Sequence, residues 1–284
     1  MLGSITAASV FAEIMMDETQ PNAFLLVEGP DENAILFGHV APDVVLIVCG
    51  GKKCVLGASS LAEAGGFKNV YGLVDSDFER VLGVTDGRSD HVVSTASYDL
   101  VADLLASSPG VLRRSLSAHA ADQVRDIEAI TSSSVEDVVY SITSHVAGAR
   151  LASMREAFPL IFKGYSFAPV VTDQYSPTSH ETFLHNARCT DSTFAIDSSV
   201  VAASLLAYDD VAEDRSLSGG HDVVGASAAI LCRAGFQISA RTVGGTLISA
   251  ATCAVLLSLS CIRSLAARAR ADSGVELFSC AASP

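Results

Sequence analysis

Early in the chain, apolar residues come in four short runs, and each stops abruptly at polar or charged residues. The runs are Ala23–Glu28, Val44–Cys49, Asn69–Val74 and His91–Thr95. Runs of this length without polar alternation predict strands buried on both faces, as in a parallel sheet. Helical stretches lie between them. Asp31–His39 separates the first two runs. Lys52–Ala64 separates the second and third, and Gly65-Gly66 supplies its natural C-terminal cap. A short helix over residues 5–16 comes first, with apolar positions at Ile5, Val10, Phe11, Ile14 and Met15, and Pro21-Asn22 breaks it. Strands alternating with helices predict an α/β fold with right-handed crossovers.

The pattern changes after Asp99. Asp99–Ser107 is helical in period, and Ser108-Pro109-Gly110 punctuates it. From about residue 120 onward helical periodicity dominates. Val135–Glu156 follows the N-capping residues Ser132, Ser133 and Ser134. Ser198–Tyr208 and Asp222–Ala234 predict two more helices, the second ending at Gly235. Residues 158–195 are rich in Pro, Tyr, His and Phe and read as irregular or partly extended. The expected organisation is a core over 1–110 with its N-terminal helix and a mainly helical domain over 111–284.

Thr246–Ile262 carries no charge, and Arg263, Arg268 and Arg270 follow it. That flank suits a membrane span, but the stretch falls short of the roughly 20 residues a span needs. We read it as a buried core helix, with a membrane helix as the lesser alternative.

Carboxylates end two of the apolar runs. Glu28 closes Phe24-Leu-Leu-Val-Glu28, and Gly29 behind it permits a tight turn. Asp75 and Asp77 close Val70-Tyr-Gly-Leu-Val-Asp-Ser-Asp77. In open α/β sheets the carboxyl ends of the strands face the ligand crevice. At strand spacing, residues i and i+2 share a face, roughly 6.6 Å apart along the backbone. Two carboxylates there repel each other and raise each other's pKa unless a cation intervenes. Glu28, Asp75 and Asp77 are therefore candidate ligands for Mg²⁺ or Mn²⁺. The plainer alternatives are a helix cap at Glu28 or Asp31 and an acidic solvated turn at Asp75–Glu79.

Other candidates surround this set. Cys49-Gly-Gly-Lys-Lys53 joins a strand to a helix, whose first N–H groups can cradle a phosphate. It departs from the ATP-binding Gly-x-x-x-x-Gly-Lys-Ser/Thr loop, since residue 46 is Leu and residue 53 is Lys. Lys52 is thus a phosphate contact or an ordinary surface lysine. Asp99 is a fourth ligand or an N-cap. Ser218-Gly-Gly-His-Asp222 opens a helix, with Asp222 as an N-cap and His221 as a supporting group or proton shuttle. The remaining histidines show no ligand spacing.

The chain has 284 residues, is 49% hydrophobic and carries a net charge of −14. That charge argues against a generally basic nucleic-acid surface, though a local groove of Lys52, Lys53, Arg113 and Arg114 remains open. The seven cysteines form no Cys-x-x-Cys pair, so zinc-ribbon spacing is missing. Scattered thiols in apolar surroundings point to buried, reduced residues and a cytoplasmic protein. Residues 1–16 contain no Lys or Arg and so lack the basic start of a secretory signal.

Val27-Glu-Gly29 with Val74-Asp-Ser-Asp77 resembles the Toprim signature of topoisomerases, primases and OLD-type nucleases. The finer pattern resembles a bacterial family with a Toprim-like core that includes the nuclease subunit of the PARIS anti-phage system. Five segments carry the likeness in order: Ala12-Glu-Ile14, Leu26-Val-Glu-Gly29, Cys49-Gly-Gly-Lys52, Gly72-Leu-Val-Asp-Ser-Asp-Phe78 and Gly220-His-Asp222. The chain departs at Val101, where the family commonly has an acid, and over its last 40 or so residues.

The resemblance implies a Toprim-like (Rossmannoid) parallel-sheet core followed by a mainly helical C-terminal region. It implies a Mg²⁺-dependent (or Mn²⁺-dependent) endonuclease acting on DNA or RNA, often an anti-phage effector working with an ABC-type ATPase. Glu28, Asp75 and Asp77 would be its metal and acid–base set, with Asp99 as a further ligand and Lys52 and His221 in support. The alternative is a non-catalytic Toprim-like partner or regulatory subunit of such an ATPase complex. A homodimer with a shared groove would help so acidic a chain approach a polyanion.

Overall fold

A computed structural model describes residues 5–84, 88–156, 160–162, 164–179, 182, 188–189 and 214–282. The chain divides into two compact units. One comprises Met1–Ser107 with Ala251–Pro284, and the other Ser108–Ala250. The boundary expected near residue 110 thus has a partner at 250/251, and the C-terminal segment joins the first unit rather than the helical one.

In chain order the first unit holds α1 (Ala7–Met16), β1 (Ala23–Val27), α2 (Pro30–Leu36), β2 (Val44–Val48), α3 (Lys52–Ala64), β3 (Val70–Val74), α4 (Glu79–Leu82), β4 (Val92–Ser94) and α5 (Leu100–Ser107). The second holds α6 (Val111–Thr131), α7 (Val135–Glu156), the short pair β5 (Leu160–Ile161) and β6 (Arg188–Cys189), then α8 (Gly220–Arg233) and α9 (Ala240–Ser249). The last segment, back in the first unit, forms α10 (Cys253–Ser258) and α11 (Ser260–Ser273).

The four main strands are parallel in the order β2-β1-β3-β4. Every residue of the central strands β1 and β3 is buried, which is why both read as unbroken apolar runs. One sheet face packs on α1 and α3 through Val10, Ile14, Phe24, Leu26, Val55, Ala58 and Val74. The approach is close. A Cβ on Gly72 of β3 would meet Val55 at 2.9 Å and Val92 at 3.1 Å. On β3, Tyr71 is fully buried, and its hydroxyl lies 2.9 Å from the Ser273 hydroxyl of α11.

Topology sets where a ligand can enter. The chain leaves β1 toward β2 on one side and leaves β3 toward β4 on the other. Adjacent strands whose connections part in this way open a crevice at their carboxyl ends. Glu28 directly follows β1 and Asp75 directly follows β3, so both stand at that point.

Several sequence expectations need correction. Thr246–Ile262 is not one helix but is shared among α9, α10 and the start of α11. No described helix is long and apolar enough to cross a membrane. The expectation of reduced cysteines fails for one pair, because Cys253 and Cys280 form a disulfide. Cys49, Cys54, Cys232 and Cys261 are free. The helix expected over Ser198–Tyr208 lies outside the described residues.

Candidate metal centre

The crevice between β1 and β3 is built by the loops that follow the strands. Beyond β3 the chain does not stay extended. Asp77 takes a left-handed φ of +48°, a conformation Asp tolerates better than most residues, and Glu79 N–H closes a turn on the Ser76 carbonyl at 2.9 Å. Asp75 and Asp77 thus lie beyond the end of β3, and the expectation that they share a face at strand spacing fails there.

The loop after β4 fixes that turn. Asp77 N–H donates to the Tyr98 carbonyl at 2.9 Å, and Ser76 N–H donates to Thr95 Oγ1 at 2.9 Å. The β4 loop is itself held by the buried Asp103. Its carboxylate accepts from Ala96 N–H at 2.9 Å and Ser97 N–H at 2.6 Å. Asp103 thus positions the Asp75–Asp77 turn through the backbone of residues 95–98.

Carboxylates gather inside this frame. Glu28 Oε1 accepts from Asp75 N–H at 2.8 Å, fastening the end of β1 to the end of β3. Glu32, buried on α2, accepts from Gly29 N–H at 2.8 Å. Asp99 is buried and caps α5, accepting from Ala102 N–H at 2.8 Å. Asp75 Oδ1 is buried without a hydrogen-bond partner. Burial, and then the neighbouring charges of Asp99, Glu32, Glu28 and Asp77, push the Asp75 carboxyl up to about 9. Burial is also the main cause that lifts Glu28 to about 7. Asp77 and Glu32 add to it, while the Asp75 N–H and Lys52 oppose it.

Lys52 closes the other side. Gly50 and Gly51 adopt φ of +80° and +139°, open to Gly alone among common residues, and they turn the chain into α3 so that Lys52 reaches the acids. Its Nζ donates to the Asp75 carbonyl at 2.7 Å and to Asp77 Oδ2 at 3.2 Å. It also pairs with Glu79, which in turn pairs with Arg88. Burial works against the Lys52 charge, but Glu79 and Asp77 outweigh it and hold the ammonium above its ordinary value.

The donor types are those that hard divalent cations take, but among the described residues no three of these acids bring ligand atoms within 4.8 Å of one another. The set offers carboxylate oxygens only, one of them buried and unpartnered, in a field of like charges that a cation would relieve. The set is not a closed cage. Among the described residues, the group of three His, Cys, Asp or Glu side chains whose ligand atoms all lie within 4.8 Å of one another is His39, Cys253 and Cys280. Capture by Glu28, Asp75 and Asp77 would require Asp77 to turn from Lys52.

The remaining candidates belong to the second unit. His221 is exposed in the first turn of α8, in the second unit. Its neighbour Asp222 is not the cap, which is Gly219. Asp222 is buried and joined to Arg150, with one contact at 2.9 Å. Arg113, a proposed groove cation, makes a two-point ion pair with Glu128 at 2.8 Å per contact.

The sequence pattern does not mark Glu32, Glu79 or Asp103 as functional or supporting residues. Glu32 carries a faint signal, an acid in the first helical turn after the β1 acid. Asp103 carries none, because its role exists only once the β4 loop folds over it. Compared with protein-family models, curated proteins and solved structures, the chain matches none.

Proposed function

We propose that the first unit is a Toprim-like, Mg²⁺-dependent (or Mn²⁺-dependent) nuclease core that hydrolyses phosphodiester bonds in DNA or RNA. The observation carrying this reading is the buried, unpartnered Asp75 oxygen at the end of β3, which feels the charges of Asp99, Glu32, Glu28 and Asp77. Glu28, Asp75, Asp77 and Asp99 would hold the metal. When bound, the metal supplies Lewis-acid activation of water and of the scissile phosphate. Glu28 would also accept the proton of the attacking water; the lift to about 7 belongs to the metal-free site. Lys52 would exchange its carboxylate partners for a phosphate oxygen. His221 and a basic groove through Arg113 draw no support from the described contacts. Anti-phage action with an ABC-type ATPase, and a homodimer, extend this proposal through the resemblance.

A second reading, a non-catalytic subunit of an ATPase complex, is favoured by one observation. Lys52 already occupies the acidic crevice as an internal cation, bonded to Asp75, Asp77 and Glu79. A cleavage assay on mixed DNA and RNA separates the two readings. Nuclease activity predicts cutting with Mg²⁺ or Mn²⁺, its loss in EDTA, and its loss in Glu28→Gln. Cutting that survives Glu28→Gln would overturn the assignment. Absence of cutting, alone and with the ATPase partner, would favour the second reading.

A further inference from the structure

The first unit gathers a second set of ligating side chains, unrelated to the carboxylates. His39 follows α2, Cys253 opens α10, and Cys280 lies in the 3-10 turn Ser279–Ala282. His39 precedes Cys253 by 214 residues, yet the three donor atoms lie within 4.8 Å of one another. Backbone contacts build the meeting. Ala41 N–H donates to the Leu277 carbonyl at 2.9 Å, and Val40 bridges Phe278. Ser279 donates twice to the His39 carbonyl, from its N–H at 2.8 Å and its hydroxyl at 3.0 Å.

The imidazole is what a disulfide alone does not need. His39 Nδ1 lies 3.4 Å from Cys280 Sγ and 3.6 Å from Cys253 Sγ. A tetrahedral site with Zn–S of about 2.3 Å and Zn–N of about 2.0 Å has S···N edges of about 3.5 Å. Both distances match such edges. Two sulfurs and an imidazole also select Zn²⁺ over the hard ions that carboxylates prefer.

We propose that His39, Cys253 and Cys280 form a Zn²⁺ site that the disulfide closes and reduction opens. Cys253 is exposed and Cys280 buried, so the fourth coordination position faces solvent on the Cys253 side. Opening uses a dithiol reductant. Its two thiols become a disulfide, and the Cys253–Cys280 bond takes up the two electrons and two protons. Zn²⁺ then displaces both thiol protons to solvent and accepts the Nδ1 lone pair of neutral His39. The sulfurs part to about 3.8 Å, the S···S edge of the same tetrahedron. Disulfide and metal are thus alternative clasps holding the C-terminal segment to the loop after α2.

The test titrates oxidised and dithiol-reduced full-length protein with Zn²⁺, and with Co²⁺ as a spectroscopic probe. Reduced wild type is expected to retain one Zn²⁺ through desalting. With Co²⁺ it should show the near-ultraviolet thiolate-to-cobalt band, and oxidised protein should show neither. His39→Ala and the milder His39→Gln should each weaken Zn²⁺ binding by more than about tenfold, since losing even an outer partner of a ligand costs that much. Cys253→Ser should remove the band, and Asp75→Asn should leave it unchanged. Circular dichroism establishes that each variant is folded. No band in reduced wild type, unchanged affinity in both His39 variants, or equal binding by oxidised protein would each overturn the proposal. Reduction that unfolds the protein even with Zn²⁺ present would do the same.

Discussion

Asp75 concentrates the electrostatic problem of this molecule in one side chain. Its carboxyl is lifted to about 9, mainly by burial and then by Asp99, Glu32, Glu28 and Asp77. In the unfolded chain it titrates near 3.8. Between those values the native state binds the extra proton, so stability falls as pH rises. The metal-free protein should lose stability progressively from about pH 4 to about pH 9. Asp75→Asn keeps the shape and removes the charge. It should flatten this dependence and stabilise the protein at pH 9 by about a few kcal/mol, the effective cost of burying one unpaired charge. Urea melts of both proteins across pH provide the check, and parallel profiles would refute the burial argument. In the sequence, Asp75 is legible as a candidate because it ends an apolar run. The turn that carries Asp77 is not legible, because a single left-handed φ at Asp77 undoes the strand spacing.

Elements were legible where periodicity is long and punctuation is local. Lys52–Ala64 and Val135–Glu156 match their expected bounds, each a long apolar-periodic stretch, the first flanked by Gly51 and Gly65 and the second preceded by Ser134. The four strands match within a residue or two, and the central β1 and β3 are unbroken apolar runs because they are buried along their whole length. The uncharged stretch over Thr246–Ile262 misled because hydrophobicity alone does not distinguish one helix from three. Thr252 caps α10 by accepting from Val255 N–H at 3.4 Å, and the helix ends at Leu259, both local events. Packing between elements yields its own prediction at Gly72, where α3 and β4 leave no room for a Cβ. Gly72→Ala should cost about 1–3 kcal/mol by overpacking, read as a lowered urea midpoint with an unchanged slope. An unaltered midpoint would mean that α3 shifts freely over β3, contrary to the tight core described.

At the scale of the whole molecule, pattern places acids at strand ends, but topology makes them neighbours. The order β2-β1-β3-β4 sets Glu28 beside Asp75, whereas the contact between residue 39 and residues 253 and 280 has no sequence signature. The central claim is that the acids at the β1/β3 crevice form a divalent-cation site. Calorimetric titration of oxidised protein with Mg²⁺, at pH 6 and pH 8, tests it most directly for wild type and Asp75→Asn. The account predicts tighter binding at pH 8, with protons released as Glu28 and Asp75 give them up, and loss of at least about tenfold affinity in Asp75→Asn. Binding that ignores both pH and the substitution, or no binding at all, would contradict it.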